Sequence, residues 1–131
     1  MAAAPEAFRS SSWLAPEIIN PARNMNGTPV LESKPADVFA FGMLAVEVFA
    51  GEMPFGGQTN AVVALYILRG HRPEMPENAQ AVGLTREIWK LLQRCWHRNP
   101  EKRPTMEEIV KRWEKFVENS SDDSTPVPEC V

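Results

Sequence analysis

Cysteine is scarce in this chain: Cys95 and Cys130 are the only two among 131 residues. Two cysteines do not build a disulfide framework, so we expect a reducing compartment. Basic residues form no run and the net charge is −3. This charge distribution argues against nucleic acid and against a membrane surface as partners. We therefore expect a cytoplasmic protein, with the nucleus as the alternative location.

Long apolar runs are also lacking. The longest apolar stretch, residues 39–50, is interrupted by Glu47 and is too short to cross a bilayer. Residues 1–9 contain Glu6 and have no apolar core, so they do not resemble a signal peptide. The hydrophobic share of 44% and the charged share of 24% are ordinary for one small globular domain.

Metal ligands and catalytic groupings are equally sparse. Cys95 and His97 are close in sequence, but a zinc site needs four ligands. The remaining candidates, His71 and Cys130, lie in unrelated segments. Two histidines in dissimilar surroundings support no Ser–His–Asp arrangement. We predict no catalytic, cofactor-binding or metal-binding residue in this chain.

Twelve prolines and seven glycines divide the sequence into helical blocks, without the alternation of apolar and polar residues that strands show. The predicted fold is all-α, with one buried central helix and three helices packed on it. We predict helices over residues 36–50, 59–69, from Thr85 to the break at Asn99-Pro100, and from Thr105 onward, with loops over residues 18–35 and 71–84.

The predicted central helix, residues 36–50, is apolar on all sides, which is typical of a buried helix. Thr105 and Glu108 form a capping-box pattern at the start of the last helix. We expect a flexible N-terminus over residues 1–7 and a disordered tail over residues 119–131, which is rich in Ser, Asp and Pro.

Three spaced motifs carry a resemblance to a known family. They are Trp13-Leu14-Ala15-Pro16-Glu17 near the start, the apolar segment that begins Ala36-Asp37-Val38-Phe39-Ala40-Phe41-Gly42, and Cys95-Trp96-His97-Arg98-Asn99-Pro100-Glu101-Lys102-Arg103-Pro104 near the end. In this order and spacing they resemble the C-terminal lobe of a eukaryotic protein kinase, from the end of the activation segment onward. The resemblance covers residues 8–118, which is less than half of a kinase domain.

The resemblance implies structural roles for a set of matched residues. It implies a buried ion pair between Glu17 and Arg103, since a bidentate contact of this kind can hold a loop against a distant helix start. Asp37 matches the residue that holds the catalytic loop in the family; without that loop, it serves only as a helix cap. The full matched set is Trp13, Pro16, Glu17, Asp37, Gly42, Trp96 and Arg103.

Ser10 lies at the position where Ser/Thr-specific and tyrosine-kinase-like kinases have Ser or Thr, so the chain resembles a tyrosine-kinase-like Ser/Thr kinase. The Gly that often precedes this position is replaced by Arg9. Ser10, Ser11 and Ser12 are therefore candidates for the activation segment or for a substrate-facing surface. The alternative is that they are solvated loop serines.

The family's ATP-binding and catalytic motifs do not occur in these 131 residues: there is no G-x-G-x-x-G loop, no V-A-I-K, no His-Arg-Asp and no D-F-G. ATP and Mg²⁺ are therefore expected only for a complete kinase, and we predict that this chain alone is inactive. The resemblance also implies that the earlier helix and the catalytic loop that cover the central helix in the family are missing, so we expect part of residues 39–49 to be an uncovered apolar patch. The alternative to a kinase segment is a non-catalytic helical binding module. In either case residues 55–76 could bind a protein partner or substrate, with Val62, Val63 and Tyr66 as the docking face; the oligomeric state stays open.

Overall fold

The computed structural model describes residues 13–20 and 33–121. The predicted flexible N-terminus, most of the predicted tail and the three candidate serines at positions 10–12 lie outside the described residues. Within the described part the protein is helical and contains no strand. The helices are α1 (Pro16–Ile19), α2 (Lys34–Ala50), α3 (Asn60–Leu68), α4 (Arg86–Cys95) and α5 (Met106–Ser121), with one 3₁₀ turn at Pro100–Lys102.

Hydroxyl side chains start the longer helices. Ser33, Thr59 and Thr85 each accept a hydrogen bond from the backbone N–H three residues ahead. Thr105 accepts one from the N–H of Glu108 at 3.2 Å, which confirms that half of the predicted capping box. Each start is thus fixed locally, because the cap satisfies an N–H that has no partner inside its helix.

The core forms where α2 packs across α4. The apolar stripe predicted on α4 is confirmed: Ile88, Leu91, Leu92 and Cys95 are all buried. They meet the inward face of α2, and further residues from α3, α5 and the loops complete the cluster. The largest fully buried side chains are Phe39, Met43, Ile67, Leu84, Leu92, Val38, Val63 and Cys95.

Several predicted boundaries were wrong. α2 begins at Lys34 rather than at residue 36, because Ser33 and not Asp37 is its cap. The predicted loop over residues 18–35 contains the end of α1, which is a single helical turn. This turn starts with Pro16, a residue type that is well suited to the first position of a helix. α5 continues to Ser121, so residues 119–121 are helical and not part of a tail.

The central helix is not buried on all sides. Phe39 and Met43 are fully buried, whereas Leu44 is 49% exposed and Val48 is 73% exposed. A helix that is apolar all round normally lies inside a domain, and the expectation that part of residues 39–49 is left uncovered in this chain is confirmed. In this chain nothing among the described residues covers that outer stripe. No helix in the described ranges is both long and apolar enough to span a membrane.

Candidate functional site

The site is built around Arg103, which follows the 3₁₀ turn and whose side chain is fully buried. Its Nη1 donates to Glu17 Oε1 at 2.5 Å, and its Nη2 donates to Glu17 Oε2 at 3.0 Å. The contact joins residues 86 positions apart, with the Glu17 side chain 20% exposed. The structure therefore contains the bidentate ion pair that the sequence motifs implied.

Arg103 also binds two backbone carbonyls. Its Nε donates to the carbonyl oxygen of His97 at 2.8 Å, and its Nη1 donates to that of Pro35 at 2.9 Å. One guanidinium thus connects α1, the start of α2 and the segment after α4. This use depends on the planar fork of arginine, since a lysine ammonium cannot reach all these acceptors at once.

The ring of Phe39 contacts two guanidinium groups. The Cζ atoms of Arg72 and Arg103 are each 5.0 Å from the centre of the ring, which is completely buried. These distances are those of cation–π contacts. The aromatic side chain at this position therefore packs against both arginines.

Sequence reasoning missed Arg72. Its Nε donates to the carbonyl oxygen of Trp96 at 3.0 Å, and its Nη1 donates to those of Ile67 at 3.0 Å and His71 at 2.8 Å. Burial, and next the nearby charge of Arg103, lower the pKa of Arg72 below its ordinary value. All three acceptors are backbone oxygens, so no residue type in the sequence could have pointed to them.

Two further contacts lock the matched residues together. Trp13 Nε1 donates to Glu47 Oε2 at 2.9 Å, which ties the start of the described chain to the last turn of α2. Gly42 lies directly under Trp96: a Cβ at Gly42 would be 2.5 Å from Trp96 Nε1. The missing side chain is what allows α2 and the end of α4 to approach so closely.

A family model for the protein tyrosine and serine/threonine kinases matches residues 3–113 of this chain. The chain belongs to this protein kinase family. The predicted all-helical kinase C-terminal lobe is confirmed by this match and by the helical fold of the described residues.

Curated relatives agree with the family. The chain is 37% identical over 98 residues to serine/threonine-protein kinase/receptor R818 of Acanthamoeba polyphaga mimivirus, covering 75% of this chain and 5% of that protein. It is 39% identical over 100 residues to R831 of the same virus, covering 76% and 5%. It is 43% identical over 94 residues to mouse inactive tyrosine-protein kinase 7, covering 69% and 8%. The chain thus spans less than a tenth of the length of each of these relatives.

The remaining kinase motif residues are not brought into one constellation. Asp37 is exposed in the first turn of α2 and is not its cap, so the local role predicted for it as a cap was wrong. Its carboxylate still lies at the positive end of the helix dipole, where a negative charge is stabilising. Pro16 supplies the first residue of α1 and so helps to place Glu17 beside Arg103.

The docking face predicted within residues 55–76 of this kinase chain needs correction. Val63 is 2% exposed and packs in the core, so it cannot contact a partner. Leu65 is 44% exposed and takes its place on the outer side of α3. Short helices carry too few residues for periodicity to fix which side faces inward, and α3 is apolar on both sides.

The predicted burial of Cys95 is confirmed, and burial raises the pKa of its thiol to about 12. The described residues contain no group of three or more His, Cys, Asp or Glu side chains that could hold a metal ion. The chemical role that the Arg103 cluster can play is to position other parts of the chain. It fixes the segment around Glu17 to α2 and to the segment after α4.

Proposed function

We propose that this chain forms the C-terminal-lobe base of a protein kinase domain of the Ser/Thr type. In this proposal it neither binds ATP nor transfers phosphate by itself, and the complete domain performs ATP-dependent protein phosphorylation. The absence of every phosphate-binding and metal-binding kinase motif from the 131 residues supports the first part. The names of the viral relatives support the Ser/Thr type.

One observation carries the proposal: an uncovered apolar groove between α2 and α5. Its volume is about 470 Å³. Its walls are formed by residues such as Phe41 and Trp113, whose rings are 6.1 Å apart, and by Val110, which is 51% exposed. A small soluble protein rarely leaves such a face open unless something packs on it. In the kinase family an earlier helix covers the central helix, and we propose this groove as its seat.

The Arg103 cluster suits the same role. It anchors Glu17, at the end of the segment that resembles the activation segment, against α2 and the turn before α5. A rigid anchor at this point would hold the activation segment of the complete domain in one position. Catalysis in kinases depends mostly on positioning and electrostatics, so a base of this kind contributes without supplying a reacting group.

The test is a measurement of nucleotide binding and transfer with the 131-residue chain. Calorimetric titration with Mg·ATP should give no saturable heat, and radiolabelled ATP should transfer no phosphate to casein. Saturable binding, or transfer that Asp37→Asn abolishes, would overturn the proposed inactivity.

A second candidate, a non-catalytic binding module, is favoured by the mouse relative that is named an inactive tyrosine-protein kinase. The two candidates differ in what fills the apolar groove. The kinase base should bind a peptide that corresponds to the covering helix of a related kinase domain, and Val110→Glu should abolish this binding. The binding module should instead hold an unrelated protein there, and a helix peptide of this kind should fail to displace it.

A further inference from the structure

A second groove lies at the C-terminal end of α2, and none of the matched kinase-motif residues lines it. It has a volume of about 580 Å³ and opens between the last turn of α2, the turn that follows it and the segment after α3. Its lining combines three kinds of side chain. The aromatic rings are Phe55, Tyr66 and His71, the prolines are Pro54, Pro73 and Pro76, and the charged side chains are Glu52, Arg72 and Glu74.

Three aromatic rings line this groove in a row. The ring centres of Phe55 and Tyr66 are 5.8 Å apart, and those of Tyr66 and His71 are 5.4 Å apart, with the rings edge to face in both pairs. Phe55 has a φ of 56°, a conformation that bulky residues rarely adopt. The chain thus keeps an aromatic side chain in this row despite the backbone strain.

Two carboxylates stand at the rim. Glu52 and Glu74 are exposed, and neither forms an ion pair with another described residue. Arg72 also lines the groove, and its positive charge offsets one of the two carboxylate charges. Its Nε and Nη1 donate to backbone carbonyls, and its guanidinium lies 5.0 Å from the buried Phe39 ring. With two carboxylates and one guanidinium, the lining keeps a net negative charge beside its aromatic rings.

We propose that this groove binds a Lys or Arg side chain of an extended basic peptide. Aromatic faces attract a cation, and nearby carboxylates add direct charge complementarity. The prolines and aromatic rings suit a peptide with an extended backbone. Grooves of this kind bind peptides that are already extended when free, so little conformational entropy is lost on binding. The groove overlaps the region predicted to contact partners, residues 55–76, and it supplies the docking face that Val63 cannot. The proposal is independent of catalysis and of the apolar groove between α2 and α5.

The experiment titrates the 131-residue chain into a fluorescein-labelled peptide of four Arg-Pro repeats and follows anisotropy. A Glu-Pro peptide of the same length is the ligand control. The variant Glu52→Gln/Glu74→Gln removes the rim charges. Glu87→Gln/Glu118→Gln removes the same charge from exposed positions elsewhere and is the matched control. Circular dichroism checks that each variant keeps the helical content of the parent chain.

We expect the rim variant to bind the Arg-Pro peptide about tenfold more weakly and the matched control less than about twofold more weakly. Tyr66→Leu should also weaken binding, since it keeps the apolar volume but removes the ring. NMR shifts on peptide addition should cluster in residues 52–56 and 66–76. Equal losses in both Gln variants, shifts spread over the surface, or no difference between the Arg-Pro and Glu-Pro peptides would each overturn the proposal.

Discussion

Arg103 binds three separate parts of the chain, and the contact with Glu17 is the one that involves a second charge. Removing one partner of a buried ion pair leaves the other charge uncompensated. We expect Glu17→Gln to lower the free energy of unfolding by about 3 kcal/mol. Arg103→Lys should cost a similar amount, because one ammonium cannot satisfy both carboxylate oxygens and two carbonyls. Urea denaturation followed by circular dichroism measures both changes.

The chain contains its own control for this experiment. Glu107 and Lys111 form an ion pair at 3.4 Å on the surface of α5, with side chains 80% and 70% exposed. Glu107→Gln makes the same chemical change in full solvent and should alter stability by less than about 0.5 kcal/mol. Equal effects at Glu17 and Glu107 would show that burial does not determine the value of the Arg103 pair.

Cys95 gives a prediction about pH. Its pKa is raised to about 12 in the folded protein, chiefly by burial, whereas an unfolded cysteine ionises near 8.5. The folded state therefore holds the proton more tightly. The resulting stability is fully present below about pH 8.5 and is lost as the pH rises toward about 12. Cys130→Ser leaves Cys95 as the only thiol, and iodoacetamide should modify it slowly at pH 8 until urea unfolds the chain.

The matched variant for this measurement is Cys95→Ala. Its denaturation midpoint should fall less steeply between pH 8 and about pH 10.5 than that of the parent chain, although it starts from a lower stability because the cavity costs about 1 kcal/mol or more. Rapid labelling of the folded protein at pH 8, or identical pH profiles for both chains, would contradict the burial of the thiol.

At the residue scale, the family resemblance supplied what residue types alone could not. Glu17 and Arg103 match motif positions that form an ion pair in the kinase family, so their pairing could be inferred although 86 positions separate them. Arg72 could not be inferred, because its partners are backbone oxygens that any residue supplies. The cap of α2 was misplaced for a related reason: Asp37 and Ser33 are both good caps, and only the backbone geometry distinguishes them.

At the scale of elements, the contact between α2 and α4 depends on one glycine. A Cβ at Gly42 would lie 2.5 Å from Trp96 Nε1, 2.8 Å from Trp96 Cδ1 and 2.9 Å from Cys95 Cβ. Such distances require one helix to move or the indole to turn. We therefore expect Gly42→Ala to destabilise the fold by about 1–3 kcal/mol, even though alanine favours helices. Thermal unfolding followed at 222 nm provides the measurement.

A double-mutant cycle separates crowding from any other effect of Gly42→Ala. Trp96→Phe removes the indole Nε1, which is buried and has no hydrogen-bond partner among the described residues. If crowding against the indole is the cause, Gly42→Ala should cost less in the Trp96→Phe background than alone. Strict additivity would place the cause elsewhere.

The helices themselves were largely predictable, because their ends are fixed by nearby residues. Thr59 and Thr85 cap α3 and α4, and Gly51 ends α2 with a φ of 75°, a left-handed conformation that glycine adopts without strain. α1 was missed because a four-residue helix is too short to show periodicity. Its place in the fold is set by the Glu17 contact, which is a tertiary interaction.

At the scale of the whole molecule, the apolar composition of α2 predicted a buried hub, and the missing kinase segments predicted that part of it is uncovered; the fold shows both. Leu44 and Val48 on α2, and Val110 and Val117 on α5, are between 49% and 73% exposed. The composition of a helix indicates whether it is suited to burial on every side. It does not indicate whether the residues that cover it lie in the same 131 residues. The exposed stripes therefore indicate a lobe that needs further packing.

This incomplete covering predicts an association-prone chain. At micromolar concentration it should bind a hydrophobic dye and form oligomers whose size rises with concentration, because an open apolar face is removed from water by self-contact. Leu44→Gln/Val110→Glu should reduce both dye binding and oligomer size while leaving the helical content unchanged, since both side chains are about half exposed. Light scattering over a dilution series measures the size. Lys90→Gln makes the net charge one unit more negative, as the double variant does, at an exposed position outside the groove, and should leave association unaltered. A monodisperse monomer with a sharp cooperative melt would mean that the face between α2 and α5 needs no cover, and the proposed seat for a further kinase helix would lose its physical basis.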